Sequence, residues 1–241
     1  MLTRIRPRPL VEFARRDLPG PLDVINLIST DRFAYYRWYG LLVLPVMTAV
    51  GGRVLWMGRF DRSVAGDQQA DKLLVVRYPS HRRFLAMTLN PYYLAINKLR
   101  EAGVRRFEAS FTHASHPGAA LGRRKLLVAV HFNSPAGNDA LAEVVDALTP
   151  AVGELVYATR AVAGLNFLEP AAETDPQPLR FRQLALFAPA EGEPSDADLA
   201  GVALQLASIT DDCSLQVYRR EPRSTYRPSF RAAPAAASAA A

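Results

Sequence analysis

The chain has a single cysteine, Cys213, in 241 residues. One thiol excludes an internal disulfide framework and fits a reducing compartment. Cys213 falls in an apolar-alternating run, which points to a structural thiol rather than a nucleophile. Histidines number four, at 81, 113, 116 and 131, and no zinc-ligand spacing occurs. The His113-Ala-Ser-His116 pair lacks neighbouring carboxylates or thiols. There is no glycine-rich phosphate loop and no nucleophile elbow, so nucleotide cradling and serine-type hydrolysis have no motif to rest on. Long apolar runs are also missing. The most apolar stretch, residues 40–50, is far too short to span a bilayer, and no apolar signal core follows the first residues. These absences lead us to expect a cytoplasmic protein with no metal and no cofactor, bacterial by its Ala/Arg-rich usage.

What is present is an ordinary globular composition, 49% hydrophobic and 22% charged, with a net charge of +6. Residues 1–20 hold five Arg against Glu12 and Asp17, and residues 219–241 hold five Arg against Glu221. The remaining body is close to neutral. Positive charge is therefore expected in two arms and not on a folded face, which argues against a nucleic-acid stripe. The arms read as solvated or as docking an acidic protein partner.

Strands and helices alternate twice in one order. The first round places a strand at 22–29, a helix from about 31 to 50 and a strand at 53–61. A polar loop at 62–71 leads to the strand 72–78. Ser80 is a helix cap after Pro79, Asn90-Pro91 opens a second helix, Gly103 stops it, and a strand at 104–112 closes the unit. The first helix presents Phe33, Tyr36, Gly40, Val43, Leu44, Met47 and Val50 on one face. Residues 114–124 read as a linker. The second round places strands at 125–132, 154–162, 179–188 and 213–219, with helices at 138–151 and after Ser195. The Ala-rich tail is low complexity. The expected domains are a basic arm (1–20), a first β-α-β-β-α-β unit (21–113), the linker (114–124), a second unit (125–220) and a tail (221–241).

Each unit has the ferredoxin-like pattern, whose four-stranded sheet leaves one face without helices. Runs such as Leu73-Leu-Val-Val and Leu126-Leu-Val-Ala-Val want burial on both faces. Two tandem copies satisfy this within one chain. The expected fold is α+β, tandem ferredoxin-like repeats forming an intramolecular α/β barrel with the two sheets facing each other.

Residues 20–113 carry Tyr36-Arg-Trp-Tyr-Gly40, Gly51-Gly-Arg-Val-Leu-Trp56, Gly66, Arg77-Tyr-Pro-Ser80, Phe84-Leu-Ala-Met87 and Asn90-Pro-Tyr-Tyr93. In these residues the first half resembles the family called domain of unknown function 1330. The second half matches in element order, as a diverged copy, with Phe187-Ala-Pro-Ala190 where the first has Tyr-Pro-Ser. The resemblance implies membership of the dimeric α/β-barrel superfamily, which includes cofactor-independent monooxygenases, cyclases, isomerases and haem enzymes. It implies no particular reaction.

Both tryptophans and six of nine tyrosines precede residue 94, so a pocket is expected in the first half. Its polar residues on apolar elements are Asn26, Arg53, Arg59, Arg77 and Glu108. Arg77, at the end of an apolar strand, must be paired or solvated. It can clamp a carboxylate or enolate oxygen, or make a structural bridge with Glu108. Tyr36 and Tyr39 can hydrogen-bond a carbonyl and move a proton, or simply pack. Arg77, Tyr36 and Tyr39 are the catalytic candidates; Asn26, Trp56, Arg77 and Glu108 are the binding candidates. Tyr92 and Tyr93 open a helix, one of them at the surface, and His81 is expected to be exposed. The main functional reading is a small-molecule-binding barrel, of cofactor-independent enzyme type, for an aromatic or polyketide-like carbonyl compound. The alternatives are a non-catalytic binding or scaffold protein and a haem protein. The haem reading is disfavoured because the second half offers only His131, on its first strand. Homo-oligomers remain open; neither nucleic acid nor membrane is an expected partner.

Overall fold

The computed structural model describes residues 11, 13–67, 70–116, 118, 121–134, 140–165, 181–190, 192–210 and 212–222. The first unit consists of β1 (Leu22–Thr30), α1 (Phe33–Ala49), β2 (Arg53–Ala65), β3 (Lys72–Tyr78), α2 (His81–Thr88), α3 (Pro91–Gly103) and β4 (Val104–His116). A single 3-10 turn, Leu121–Arg123, separates it from the second. That unit has β5 (Leu126–Phe132), α4 (Leu141–Leu148), β6 (Gly153–Leu165), β7 (Gln183–Pro189), α5 (Asp196–Ile209) and β8 (Cys213–Arg220).

Local chemistry sets these boundaries. The Ser80 hydroxyl accepts from the Arg83 N–H and starts α2. The Asn90 side chain accepts from the Tyr92 N–H ahead of Pro91, where the missing proline donor costs nothing. Ser195 repeats the device by accepting from the Asp198 N–H. α1 has no side-chain cap. The N–H groups of Asp31 and Arg32 instead donate to the Gly103 carbonyl at the far end of α3. That approach requires glycine: a Cβ at 103 would lie 2.6 Å from the Tyr36 nitrogen.

The eight strands close into one antiparallel barrel in the order β1-β3-β2-β8-β5-β7-β6-β4. Each half contributes its ferredoxin-like sheet, and the halves meet edge to edge, β2 with β8 and β4 with β6. The expected facing of the two sheets thus takes the form of a continuous wall whose inner faces share one interior. The seam strands explain why. β2, β4 and β6 run to 13 residues each, against 7 in β3, β5 and β7. Their extra length does the joining: β2 beyond Phe60 pairs with β8, and Ala114–His116, expected to start the linker, continue β4 along β6. Register shifts in β2, β4 and β6 mark bulges, which bend strands into a closed wall.

Period-two alternation divides the core into three. Ile25, Leu27, Trp56, Leu73, Val75, Leu127, Ala129, Tyr157, Leu184, Leu186 and Tyr218 fill the barrel from both halves. A Cβ at Gly58 would stand 2.1 Å from the Trp56 ring, so this position admits the indole only as glycine. Outside, α1–α3 cover the first sheet and α4–α5 the second. On α1 the buried residues are Tyr36, Val46 and Met47, while Leu44 is exposed, contrary to the expected face.

Three further expectations are corrected. Part of the N-terminal arm is docked: Phe13 is buried against Phe111 and His81, and Arg16 Nη1 donates to the Val162 carbonyl at 2.7 Å. His81 is accordingly buried, not exposed. The body's near-neutral charge is not evenly spread. Helices α1–α3 carry Arg37, Arg82, Arg83, Lys98 and Arg100 against Glu101, whereas α4 and α5 carry Glu143, Asp146, Asp196 and Asp198 with no basic residue. Positive charge thus does sit on a folded layer. The Ala-rich tail falls outside the described residues.

Candidate functional site

The barrel interior holds a small cleft that is partly open to solvent. Inward positions on five strands line it: Ile25 and Leu27 on β1, Glu108, Ser110 and Thr112 on β4, Thr159 and Ala161 on β6, His131 on β5, and Leu184 on β7, with Gln183 beside it at the start of that strand. Phe181 and Arg182 complete the lining. The β4/β6 seam therefore places first-half and second-half residues in one cavity.

His131 is the outstanding group. It is 4% exposed, its ring lies 5.9 Å from that of Phe181, and its Nε2 has no hydrogen-bond partner among the described residues. Burial lowers its pKa to about 4, because a charged imidazolium would lose its hydration. The ring is neutral near pH 7, with one N–H and one lone pair. Two nearby hydroxyls are committed to the protein: Thr112 donates to the Asp23 carbonyl and Thr159 to the His113 carbonyl. Gln183 Nε2 donates to Ser134 Oγ at 2.7 Å.

Alongside Thr112 and Thr159 lies a buried charge cluster. Arg77 holds Asp23 through two bonds of 2.7 Å, Nε to Oδ1 and Nη2 to Oδ2. The Tyr157 hydroxyl donates to Asp23 Oδ2 at 2.8 Å. Asp23 is 1% exposed, so these bonds substitute for its lost water. The bonds to Asp23 raise the Arg77 pKa. Burial, together with Asp23, keeps the Tyr157 phenol protonated.

The sequence candidates divide between two faces of the sheet. Arg77, Trp56 and Glu108 belong to the interior. Glu108 lines the cleft and also meets Arg106 at 3.5 Å. The bridge considered between Arg77 and Glu108 is replaced by the one to Asp23. Trp56 is buried in the barrel core, its Nε1 donating to the Arg124 carbonyl. Asn26 is on the helix side of β1 and donates to the carbonyls of Val24 and Leu74. Tyr36 and Tyr39 also lie under the helices, where burial raises both phenol pKa values. Tyr39 meets the Tyr93 hydroxyl at 3.5 Å. Arg53 and Arg59 are exposed; Tyr92 is at the surface and Tyr93 buried.

Asp23, Thr112, Tyr157, Thr159 and Gln183 escaped notice in the sequence. Asp23 had a usable signal, an acid near the start of a mostly apolar strand. Its partner is set by register, since Asp23 stands directly opposite Arg77. His131 sits on a strand apolar at nearly every other position, and that contrast marks it. Among the described residues no group of three His, Cys, Asp or Glu side chains is placed to hold a metal. No described helix is long and apolar enough to cross a membrane.

Comparison with known proteins agrees with the resemblance in the first half: residues 24–109 match the family described as Domain of unknown function (DUF1330). No curated protein matches the chain. Among solved structures, it is similar to a protein of unknown function from Rhodopseudomonas palustris at 27% identity, over 43% of this chain and 89% of that one, with a TM-score of 0.41. An anthrone oxidase-like protein is 13% identical over 85% of this chain and 92% of that one, TM-score 0.45. A mutant chlorite dismutase from Candidatus Nitrospira defluvii is 8% identical over 87% and 94%, TM-score 0.44.

Proposed function

We propose that the protein binds a small organic molecule in the barrel cleft and acts on it as a cofactor-independent enzyme, the ligand being an aromatic or polyketide-like carbonyl compound. The observation that carries this reading is His131, a neutral, buried imidazole whose Nε2 is unspent among the described residues and which lines a cavity. A buried polar atom without a partner costs stability, so its retention calls for a ligand or water that completes it. Ile25, Leu27, Leu184 and Phe181 offer apolar contact, with a few polar groups converging on it, the usual build of a small-molecule pocket. His131 hydrogen-bonds the carbonyl or its enol hydroxyl, and Glu108 is the group in the cleft suited to accept a proton. Arg77 supports the wall by fixing Asp23 and does not touch the ligand.

The test is calorimetric titration with a panel of hydroxylated aromatic ketones. Wild type is expected to bind at least one. His131→Leu is expected to lose that binding, and Glu108→Gln to bind but give no product by mass spectrometry. Equal binding by wild type and His131→Leu would overturn the assignment of the site.

A further inference from the structure

The two helix layers lie on opposite sides of the barrel and differ in sign. Arg82, Arg83 and Lys98 are exposed on the α1–α3 side, with Arg37 half-buried beside them; exposed Tyr35, Trp38 and Tyr92 stand in the same layer. The α4–α5 side exposes Glu143, Asp146, Asp196 and Asp198, and α5 also carries Leu204, at 77% the most exposed large apolar side chain described. Helix preference does not account for the basic layer. Arg82 and Arg83 occupy the first turn of α2, where the helix dipole favours acids and disfavours cations. On α5 the acids Asp196 and Asp198 stand at the favourable end.

We propose that the basic-aromatic layer of one molecule docks on the acidic layer of a second copy, head to tail. One chain carries both complementary surfaces. The exposed Leu204 meets the aromatic side chains of the opposite layer, and the charges set the orientation. Such a contact is heterologous: it uses different patches on the two molecules, so it closes into a ring or extends as a chain. The barrel cleft is lined by strand residues with Phe181 and Arg182 and by none of the helix residues invoked here, so this inference is independent of the proposed ligand.

Sedimentation velocity on the full chain tests it, at low ionic strength and at about 1 M salt, where screening reaches roughly 3 Å. Wild type should associate with rising concentration at low salt and dissociate at high salt. Glu143→Lys with Asp146→Lys should be monomeric. So should Arg82→Glu with Arg83→Glu and Lys98→Glu. An equimolar mixture of the two variants should associate, because each restores the surface the other needs. Leu204→Ser should weaken association with no change of charge. Circular dichroism confirms that each variant is folded. A wild type that stays monomeric at low salt, or a mixture of folded variants that does, overturns the proposal. So does binding of phosphatidylglycerol vesicles by monomeric wild type and by the acidic-layer variant, which would assign the basic layer to an anionic surface.

Discussion

The two halves share one topology and use it differently. In the first, three helices crowd aromatic and charged side chains against the sheet: the Arg100 guanidinium lies 5.9 Å from the Tyr39 ring centre and 4.4 Å from that of Phe107. In the second, two helices cover the sheet with Val, Leu and Ala, a plain aliphatic layer. The aromatic richness that pointed to a first-half pocket is spent on helix packing. The cleft lies at the junction, and its one buried imidazole comes from the plainer half. Chemical variety in a segment marks where packing is complicated and does not by itself mark where a ligand goes.

The seams between the halves are the first place to break this comparison. Lys72 of the first half and Glu221 of the second form a buried ion pair of 2.5 Å, at 7% and 6% side-chain exposure. Removing one partner strands the other without water. Glu221→Leu should cost about 3–5 kcal/mol in denaturant unfolding, and Lys72→Met with Glu221→Leu should recover much of that. A loss below about 1 kcal/mol would show that the halves hold together without the pair.

The second test addresses Arg77. Arg77→Met leaves Asp23 with Tyr157 as its remaining side-chain donor among the described residues, and stability should fall by about 3 kcal/mol. Binding in the cleft should persist. Lost binding at unchanged stability would return Arg77 to the ligand site.

A third measurement uses pH. Folding lowers the His131 pKa to about 4, so between the unfolded value near 6.5 and about 4 the unfolded chain takes up a proton that the folded chain refuses. The stability associated with neutral His131 is therefore full above about pH 6.5 and is lost as pH falls to about 4. Wild type should lose on the order of 3 kcal/mol more than His131→Leu over that window. Parallel profiles would mean that His131 is hydrated in solution.

The smallest effect concerns the helix starts. Arg83→Glu should stabilise α2 by about 0.5 kcal/mol by matching the dipole, while Asp198→Arg in α5 should destabilise by a similar amount. Opposite signs in the two melting curves would sharpen the contrast between a helix laid out for a surface and one laid out for itself.

Sequence alone determined the element order, the caps at Ser80, Asn90 and Ser195, the doubling of the unit and the need for burial on both strand faces. These follow from neighbours in the chain: period, hydroxyl caps and proline placement act within a few residues. Tertiary structure decided the rest. The run of β2 past Asp61 and of β4 past Thr112 looks like loop and linker because its residues are polar or small, and it becomes strand only when a partner edge from the other half arrives. Asp23 and Arg77 lie 54 positions apart and meet through a register that no local pattern encodes. His131 gains its low pKa, and the cleft its walls, from closure of the barrel, which removes water from side chains that each half alone would leave on an open sheet face.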